Sequence, residues 1–294
     1  MIKYIDRETN SFVVENPPAE GLMQFIYQNP LGKWTFLPIA KRKFVSEWYG
    51  RKMSKKRSAK KISAFVQTLN IDMTESIKRI DEFDTFNAFF YRKLKPEARP
   101  IQNGLISPGD GRLFAFKSSK EVSSFFVKGQ PFTLHNFLQD SILQDKYKDG
   151  PLLILRLAPN DYHRYHFPYD GTPTASTLIN GHYLSVSPIA LASNFTKVFC
   201  ENKRSFLELQ TPNNGDILLA PVGATMVGSI NDTFMPNRPT KKGDEMGYFA
   251  FGGSTIVMLL EKGRFTVDND LYENTQKGYE TYVKMGERIG EAAI

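Results

Sequence analysis

The sequence predicts an α+β protein in which a helical region over residues 1–100 precedes a β-rich domain over residues 101–294. Apolar residues recur at helical spacing in the second half of the first region. In the second region, short apolar and β-branched runs are separated by Gly, Pro, Asn and Asp, which is typical of short strands. A composition of 41% hydrophobic and 23% charged residues over 294 positions indicates a globular chain with a sizeable core.

Three short amphipathic helices are expected between residues 58 and 94. Their apolar faces are, in order, Ile62, Phe65, Val66 and Leu69; Ile77, Ile80 and Phe83; and Phe86, Phe89, Phe90 and Leu94. Asp72 or Thr74 is expected to cap the second helix, and Thr85 precedes the third, which Pro96 terminates. Such stripes usually cover a core.

The β-rich domain is expected to contain several short strands. The runs that predict them are residues 152–157, 205–209, 217–219, 254–260 and 264–267. The first of these reads LLILRL and is nearly continuous in apolar residues, which favours a strand buried on both faces.

The net charge of +7 comes from residues 41–61, here called the basic segment. This segment has ten Lys and Arg and one acid, Glu47, so it carries +9, and the remaining 273 residues sum to −2. A single basic band on a near-neutral body favours a local anionic partner over a diffuse nucleic-acid surface. From charge alone, the phosphates of nucleic acid and of lipid headgroups both stay open.

Large apolar residues precede the basic segment. They are Leu22, Met23, Phe25, Ile26, Tyr27, Trp34, Phe36 and Leu37. Rings at headgroup level followed by cations on lipid phosphates would anchor a protein at a membrane surface, so the helical region is expected to face a membrane. The alternative is a solvated charged face beside a small helical core.

Crossing of the membrane is not expected. The longest uncharged apolar window, residues 246–260, has fifteen residues, whereas a spanning helix needs roughly 18–20. The first residues, MIKYIDRETN, lack the apolar run of a secretory signal. The single cysteine, Cys200, excludes an intramolecular disulfide and any metal site built from several thiolates.

Three of the four histidines lie close together in sequence, at His163, His166 and His182. In NDYHRYHFPYDG, Asp161 and the first two histidines follow a predicted strand, where catalytic side chains are often found. General acid–base chemistry and zinc binding by Asp161, His163 and His166 both fit this pattern.

Two glycine-rich turns also carry candidate residues. ISPGDGRL places Asp110 between two glycines, which by itself fits an ordinary turn. FGGST places Gly253 directly before Ser254 at the start of a predicted strand, which fits a bulge or a tight turn equally well.

Taken together, these blocks resemble the phosphatidylserine decarboxylases, pyruvoyl-dependent enzymes that make phosphatidylethanolamine, and the tail is similar to their longer bacterial branch. The matching blocks are FNAFFYRKLKPEARPI (86–101), SPGDG (107–111), LAPNDYHRYHFPYDG (157–171), GHYLSVSP (181–188), NKR (202–204), PVGATMVGSI (221–230), KGDEMGYFAFGGSTIVMLLE (242–261) and DLYENTQKGYETYVKMGERIG (270–290).

The resemblance implies a proenzyme that cuts itself between Gly253 and Ser254 into a β chain of residues 1–253 and an α chain of residues 254–294. It implies that Ser254 attacks the Gly253 carbonyl, that His166 takes the serine proton, and that Asp110 orients His166 in the manner of a Ser-His-Asp relay.

The resemblance further implies a covalent pyruvoyl group derived from Ser254, which forms a Schiff base with the serine amine of phosphatidylserine, and no metal. His163 would return a proton to carbon after carbon dioxide leaves. The catalytic set is thus Asp110, His163, His166 and Ser254.

The implied partners are phosphatidylserine in anionic membranes and the two chains of one proenzyme, with a homodimer expected by family analogy and no nucleic acid. The implied location is peripheral, on the cytoplasmic face of the cell membrane. Two rival hypotheses remain from the residues alone. One is a zinc hydrolase using Asp161, His163 and His166, and the other is a non-catalytic lipid- or RNA-binding module.

Overall fold

The computed structural model describes residues 2–15, 20–35, 43–125, 132–224, 230–250 and 254–293. The helices in these ranges are α1 Glu20–Gln28, α2 Pro30–Thr35, α3 Lys43–Met53, α4 Ile62–Thr68, α5 Phe86–Phe90, α6 Ser119–Phe125, α7 Leu134–Leu138, α8 Ser141–Tyr147, α9 Pro188–Glu201 and α10 Asn269–Gln276. Short 3₁₀ turns occupy Lys56–Lys61, Ile80–Glu82 and Pro96–Ala98.

Sixteen strands are described in the same ranges. They are β1 Ile2–Asp6, β2 Ser11–Glu15, β3 Leu105–Ile106, β4 Gly111–Phe116, β5 Leu152–Leu157, β6 Arg164–His166, β7 Thr172–Pro173, β8 Thr177–Ile179, β9 Arg204–Gln210, β10 Asp216–Gly223, β11 Ile230–Asp232, β12 Glu245–Phe249, β13 Ser254–Leu260, β14 Phe265–Val267, β15 Glu280–Val283 and β16 Arg288–Ala292. The α+β class is confirmed.

One large sheet organises the described chain. Its order is β2-β1-β15-β4-β5-β13-β10-β9-β7, with β8 paired to β9 off this path. Every pairing is antiparallel except that of β1 with β15. Two small sheets, β11-β12-β6 and β14-β16-β3, accompany the large one.

The paired strands β5 and β13 lie in the middle of this sheet, and all of their residues are buried. Because side chains alternate across a strand, Leu153 and Leu155 enter one core and Leu152 and Ile154 enter the other. The prediction of a strand buried on both faces at 152–157 is therefore confirmed.

A different set of elements packs on each face of the large sheet. On one face the small sheets supply Tyr165, Phe249 and Phe265, and α10 supplies Leu271. On the other face α7, α8 and α9 supply a second set of large side chains, namely Phe137, Tyr147, Leu191, Phe195 and Phe199. The large sheet is thus a middle layer, which keeps water away from both sides of β5 and β13.

A separate apolar cluster forms the helical part of residues 43–90. Met53, Ile62, Phe83, Phe86, Phe89 and Phe90 are its buried members. The first predicted helix is confirmed as α4, and the third is confirmed as α5, whose first turn is capped by the Thr85 hydroxyl accepting from the Ala88 amide at 3.1 Å.

The second predicted helix is wrong. The Asp72 carboxylate accepts from the amide and hydroxyl of Thr74 and closes a turn there, which competes with helix formation. Ser76 then pairs with Leu94 in an isolated bridge, and Ile77 is 55% exposed rather than inward. Within 72–83 only the Ile80–Glu82 3₁₀ turn is helical.

The prediction of a wholly helical region over residues 1–100 is also wrong at its start. β1 and β2 form a hairpin that joins the edge of the large sheet, with Tyr4 paired to Glu280 of β15. Alternating large apolar residues and the left-handed backbone of Asn10 suit a hairpin. The chain therefore begins as part of the β layer. None of the helices in the described ranges combines the length and apolar character needed to cross a bilayer.

Candidate active site

Two chain segments meet at the start of β13. Ser254 pairs with Leu157, the last residue of β5, and with Gly223, the last residue of β10. After β5 the chain reaches His163, whose carbonyl accepts from the amide of Phe249 at 2.9 Å, shortly before Ser254. The histidine segment and the segment that leads to Ser254 are therefore joined at both ends.

Ser254 has no exposed surface, and its hydroxyl has no hydrogen-bond partner among the residues that the structure describes. A buried hydroxyl without a partner is unfavourable, which leaves the Ser254 oxygen free to react. The adjacent Thr255 hydroxyl is buried and unpartnered as well. Gly253, the other half of the predicted cleavage site, lies outside the described residues.

His163 is fully buried just before β6, and its ring centroid lies 3.8 Å from that of Phe90. Its Nδ1 lies 2.9 Å from the carbonyl oxygen of Asp161. Since a carbonyl only accepts, Nδ1 carries the hydrogen, and the unpartnered Nε2 presents a lone pair. Burial lowers the pKa of His163 to about 3, so the ring is a neutral base at neutral pH.

His166 ends β6 and has a partner at each ring nitrogen. Nδ1 donates to the carbonyl of Gly243 at 2.9 Å, and Nε2 accepts from the hydroxyl of Tyr162 at 3.1 Å. Burial lowers its pKa. The backbone amide of His166 donates to Pro108 at 2.7 Å, which brings the SPGDG turn beside the histidines.

Asp110 lies in that turn and is almost fully buried. Its carboxylate accepts from Nε and Nη2 of Arg99, at 2.9 and 2.6 Å, and from the amide of Met285 at 2.8 Å. Asp110, which is expected to orient His166, forms no direct hydrogen bond with it here, because Arg99 bonds the carboxylate and the imidazole bonds Gly243 and Tyr162. Asp110 acts on His166 through its charge, which raises the histidine pKa against burial.

The glycines around Asp110 permit close packing. A Cβ at Gly111 would lie 2.6 Å from the carbonyl oxygen of Arg156 on β5. A side chain at this position would separate β4 from β5, which are paired there. The SPGDG turn is thus held against the central strands.

The zinc hypothesis does not fit the geometry of Asp161. Its carboxylate pairs with Arg112 and accepts from the amide of Ala158 at 2.6 Å. Burial raises the pKa of this carboxyl to about 6, although Arg112 acts in the opposite direction. Across the described ranges, no cluster of three His, Cys, Asp or Glu side chains is arranged to hold a metal ion.

Sequence reasoning missed four residues around this site. Arg99 bonds Asp110, Arg112 bonds Asp161 and Tyr162 bonds His166. The fourth residue, Arg92, is 6% exposed, and the charges of Asp110 and Asp161 act on it. A usable signal existed for Arg92, because it directly follows the aromatic run FNAFFY, where a charge is costly unless it has a use.

Known proteins resemble this chain over nearly its whole length. A family model described as phosphatidylserine decarboxylase matches residues 86–291. A Fusobacterium nucleatum protein named phosphatidylserine decarboxylase proenzyme is 48% identical over 292 residues, covering 98% of this chain and 97% of the relative. Proteins with the same name from Clostridium botulinum and Desulfitobacterium hafniense are 46% and 42% identical over 293 residues, covering 99% of this chain and 99% and 98% of the relatives.

The class defined by these matches is that of decarboxylases named as proenzymes. The chain belongs to the phosphatidylserine decarboxylase family.

Proposed function

We propose that this chain cleaves itself between Gly253 and Ser254 and then converts phosphatidylserine to phosphatidylethanolamine and carbon dioxide. Family membership supports the reaction. The observation that carries the self-cleavage is the fully buried, unpartnered hydroxyl of Ser254 at the start of a central strand.

Cleavage needs only groups of this chain and one water. The Ser254 oxygen adds to the Gly253 carbonyl carbon while a base takes the hydroxyl proton, and the peptide C–N bond breaks to leave an ester and a free amine. Loss of the serine Cα proton then expels Gly253 as a carboxylate. Water replaces ammonia at the resulting dehydroalanine and gives a pyruvoyl group. His166 is the proposed base, once Tyr162 releases its Nε2.

The surroundings of Ser254 fit a pyruvoyl group. The position is closed off by β5 and β10, which pair with it through Leu157 and Gly223. When formed, the group supplies a ketone that condenses with the substrate amine and accepts the electrons left by carbon dioxide. His163 holds and returns the proton at Nε2, because its lowered pKa makes any imidazolium formed there a ready donor.

A surface cavity offers a path for the substrate headgroup. It has a volume of about 760 Å³ and lies between α3 and the β11–β12 edge, and it reaches Ala250, close in sequence to Ser254. Arg51 and Lys55 line it together with Tyr91 and Tyr248. These two cations would hold the phosphodiester of the lipid, and the tyrosine rings would border the headgroup.

The basic segment would hold the protein on an anionic membrane, on the cytoplasmic face, whose leaflet is negatively charged. Trp34, Phe44 and Trp48 are 81%, 63% and 57% exposed. A second cavity of about 480 Å³ is lined by the Trp48 indole and by cations, namely Arg51, Lys52, Lys55, Arg57 and Lys61. Rings and cations in this arrangement suit lipid headgroups. The homodimer stays a prediction.

The experiment is mass spectrometry of the purified protein with a denaturing gel. The expected result is a separate chain of the 41 residues 254–294 that begins with pyruvoyl. Hydroxylamine or borohydride should abolish turnover, and chelators should not. An intact chain under all conditions would refute the proposal, and turnover that needs stoichiometric zinc would favour the hydrolase instead.

A further inference from the structure

Arg92 is an unusual buried cation. The residue is 6% exposed, its Nε is buried without a hydrogen-bond partner, and it forms no ion pair with any described residue. Its guanidinium carbon lies 5.3 Å from the centroid of the Phe89 ring. The other buried arginines all bond carboxylates or backbone carbonyls, namely Arg99, Arg112, Arg156, Arg164 and Arg204.

This cation lies beside the candidate active site. Phe90, two residues earlier, lies with its ring centroid 3.8 Å from that of His163, the two rings tilted by 38°. Burial lowers the pKa of that histidine, and the charge of Arg92 acts in the same direction. Asp110 and Asp161 act on Arg92 through their charges, but each carboxylate already bonds another arginine, Arg99 or Arg112. The site therefore has a positive charge without a direct anionic partner.

A buried arginine whose Nε has no hydrogen-bond partner among the described residues is costly, which indicates that an anion from outside the chain is its partner. We propose that Arg92 binds the carboxylate of the serine headgroup before that carboxylate leaves as carbon dioxide. This inference rests on the proposed function. Two reasons favour the carboxylate over the phosphodiester. The carboxylate leaves from the same carbon that His163 would protonate. The phosphodiester already has proposed partners in Arg51 and Lys55, which line the substrate cavity.

The chemistry suits a guanidinium. Its planar set of N–H donors can bond both oxygens of a carboxylate, which fixes the direction of the C–C bond that breaks. The product lacks the carboxylate, so this contact is lost on turnover. Arg92 thereby discriminates substrate from product, in addition to orienting the substrate.

The test compares Arg92→Met and Arg92→Lys with the control Lys93→Gln, a change at an exposed neighbour. Each variant is assayed in detergent micelles with phosphatidylserine as substrate and phosphatidylethanolamine as competing ligand. For Arg92→Met, we expect complete self-cleavage and a kcat/KM for phosphatidylserine lower by roughly 10- to 100-fold, the loss expected for a charged hydrogen-bonded contact. The inhibition constant of phosphatidylethanolamine should stay within about twofold of wild type, because this lipid lacks the carboxylate that Arg92 is proposed to bind.

The unfolding temperature gives a second readout. Removing an unpaired buried charge should leave it unchanged or raise it, whereas a structural arginine would lower it. A lower unfolding temperature with unchanged kcat/KM would overturn the inference. So would equal weakening of both lipids, which would assign Arg92 to the phosphodiester. Cleaved wild-type protein without activity on phosphatidylserine would instead refute the proposed function.

Discussion

The ring of Phe90 lies 3.8 Å from the imidazole of His163, centroid to centroid. Phe90 belongs to the apolar cluster of the helical part, and His163 lies in the loop between β5 and β6. The helical part is thus one wall of the candidate active site, and its packing keeps His163 dry and uncharged.

Acid should destabilise the fold through His163. Its pKa is about 3 in the folded chain and about 6.5 in an unfolded one. The unfolded chain therefore binds the proton first, so folding stability falls as the pH drops below about 6.5. The loss between pH 8 and pH 5 is about 2 kcal/mol.

Urea unfolding at these two pH values measures this loss. His163→Gln should show a difference smaller by that amount, whereas His135→Asn, at an exposed position, should keep the wild-type difference. Equal pH dependence in His163→Gln and wild type would contradict the burial of a neutral His163.

Ser254→Ala should abolish cleavage and leave the fold intact, because none of the described residues bonds the lost hydroxyl. Thr255→Val is the matched control. It removes the neighbouring buried, unpartnered hydroxyl with almost no change in volume, and this variant should cleave at the wild-type rate. A denaturing gel after expression reads both results. Cleavage of Ser254→Ala would assign the nucleophile elsewhere.

The two histidines can be separated by their contacts. His166→Gln should block cleavage if His166 is the base, and Tyr162→Phe should preserve or accelerate cleavage because it frees Nε2 of His166. His163→Gln should permit cleavage and abolish decarboxylation. Cleavage of each variant is followed on denaturing gels. If His163→Gln stays intact and His166→Gln is cleaved, the two histidines have the opposite roles.

The Arg99–Asp110 pair should be strongly coupled. Asp110→Asn leaves a buried guanidinium with Glu75 as its remaining carboxylate partner, so unfolding should become easier by about 3–5 kcal/mol. The double variant Arg99→Gln/Asp110→Asn should lose less than the sum of the single variants. Chemical denaturation measures all three. Asp81→Asn, in the exposed pair with Arg79, should leave the midpoint unchanged.

Membrane binding should depend on where the charge lies. Changing Lys52, Arg57 and Lys61 to Gln should weaken sedimentation with anionic vesicles at low salt, at about 1 kcal/mol per charge. Lys93, Lys262 and Lys277, which are exposed outside the basic segment, give a control with the same change in net charge. Equal loss in both triple variants would show that net charge alone determines binding. The decarboxylase assignment would survive that result, because it rests on family membership.

Local patterns predicted the middle of the fold well. The strands β5 and β13 are long apolar runs bounded by turn residues, and α4 and α5 have clear helical periods. The β1–β2 hairpin was not predicted, because its place in the sheet depends on β15 near the other end of the chain. The second predicted helix does not form, because the Asp72 side chain bonds the backbone amide of Thr74 and closes a turn there.

The residues of the candidate site could be predicted from the sequence, but the contacts between them could not. Motif matches selected Asp110, His163, His166 and Ser254, but no pattern in the sequence shows that Arg99 occupies the carboxylate of Asp110. Such pairs form between segments brought together only by the folded sheet. Their roles in processing and decarboxylation remain predictions.

Because β13 lies in the middle of the large sheet, the proposed cleavage affects how the mature protein keeps its fold. The 41-residue fragment 254–294 contributes β13 and β15 to the large sheet and β14 and β16 to a small one. It therefore cannot depart without dismantling both layers, and the two polypeptides stay interlocked. After denaturation, however, the two polypeptides are separate molecules that must associate again before they can refold. The mature protein would therefore keep its fold because it unfolds slowly, and not because it refolds.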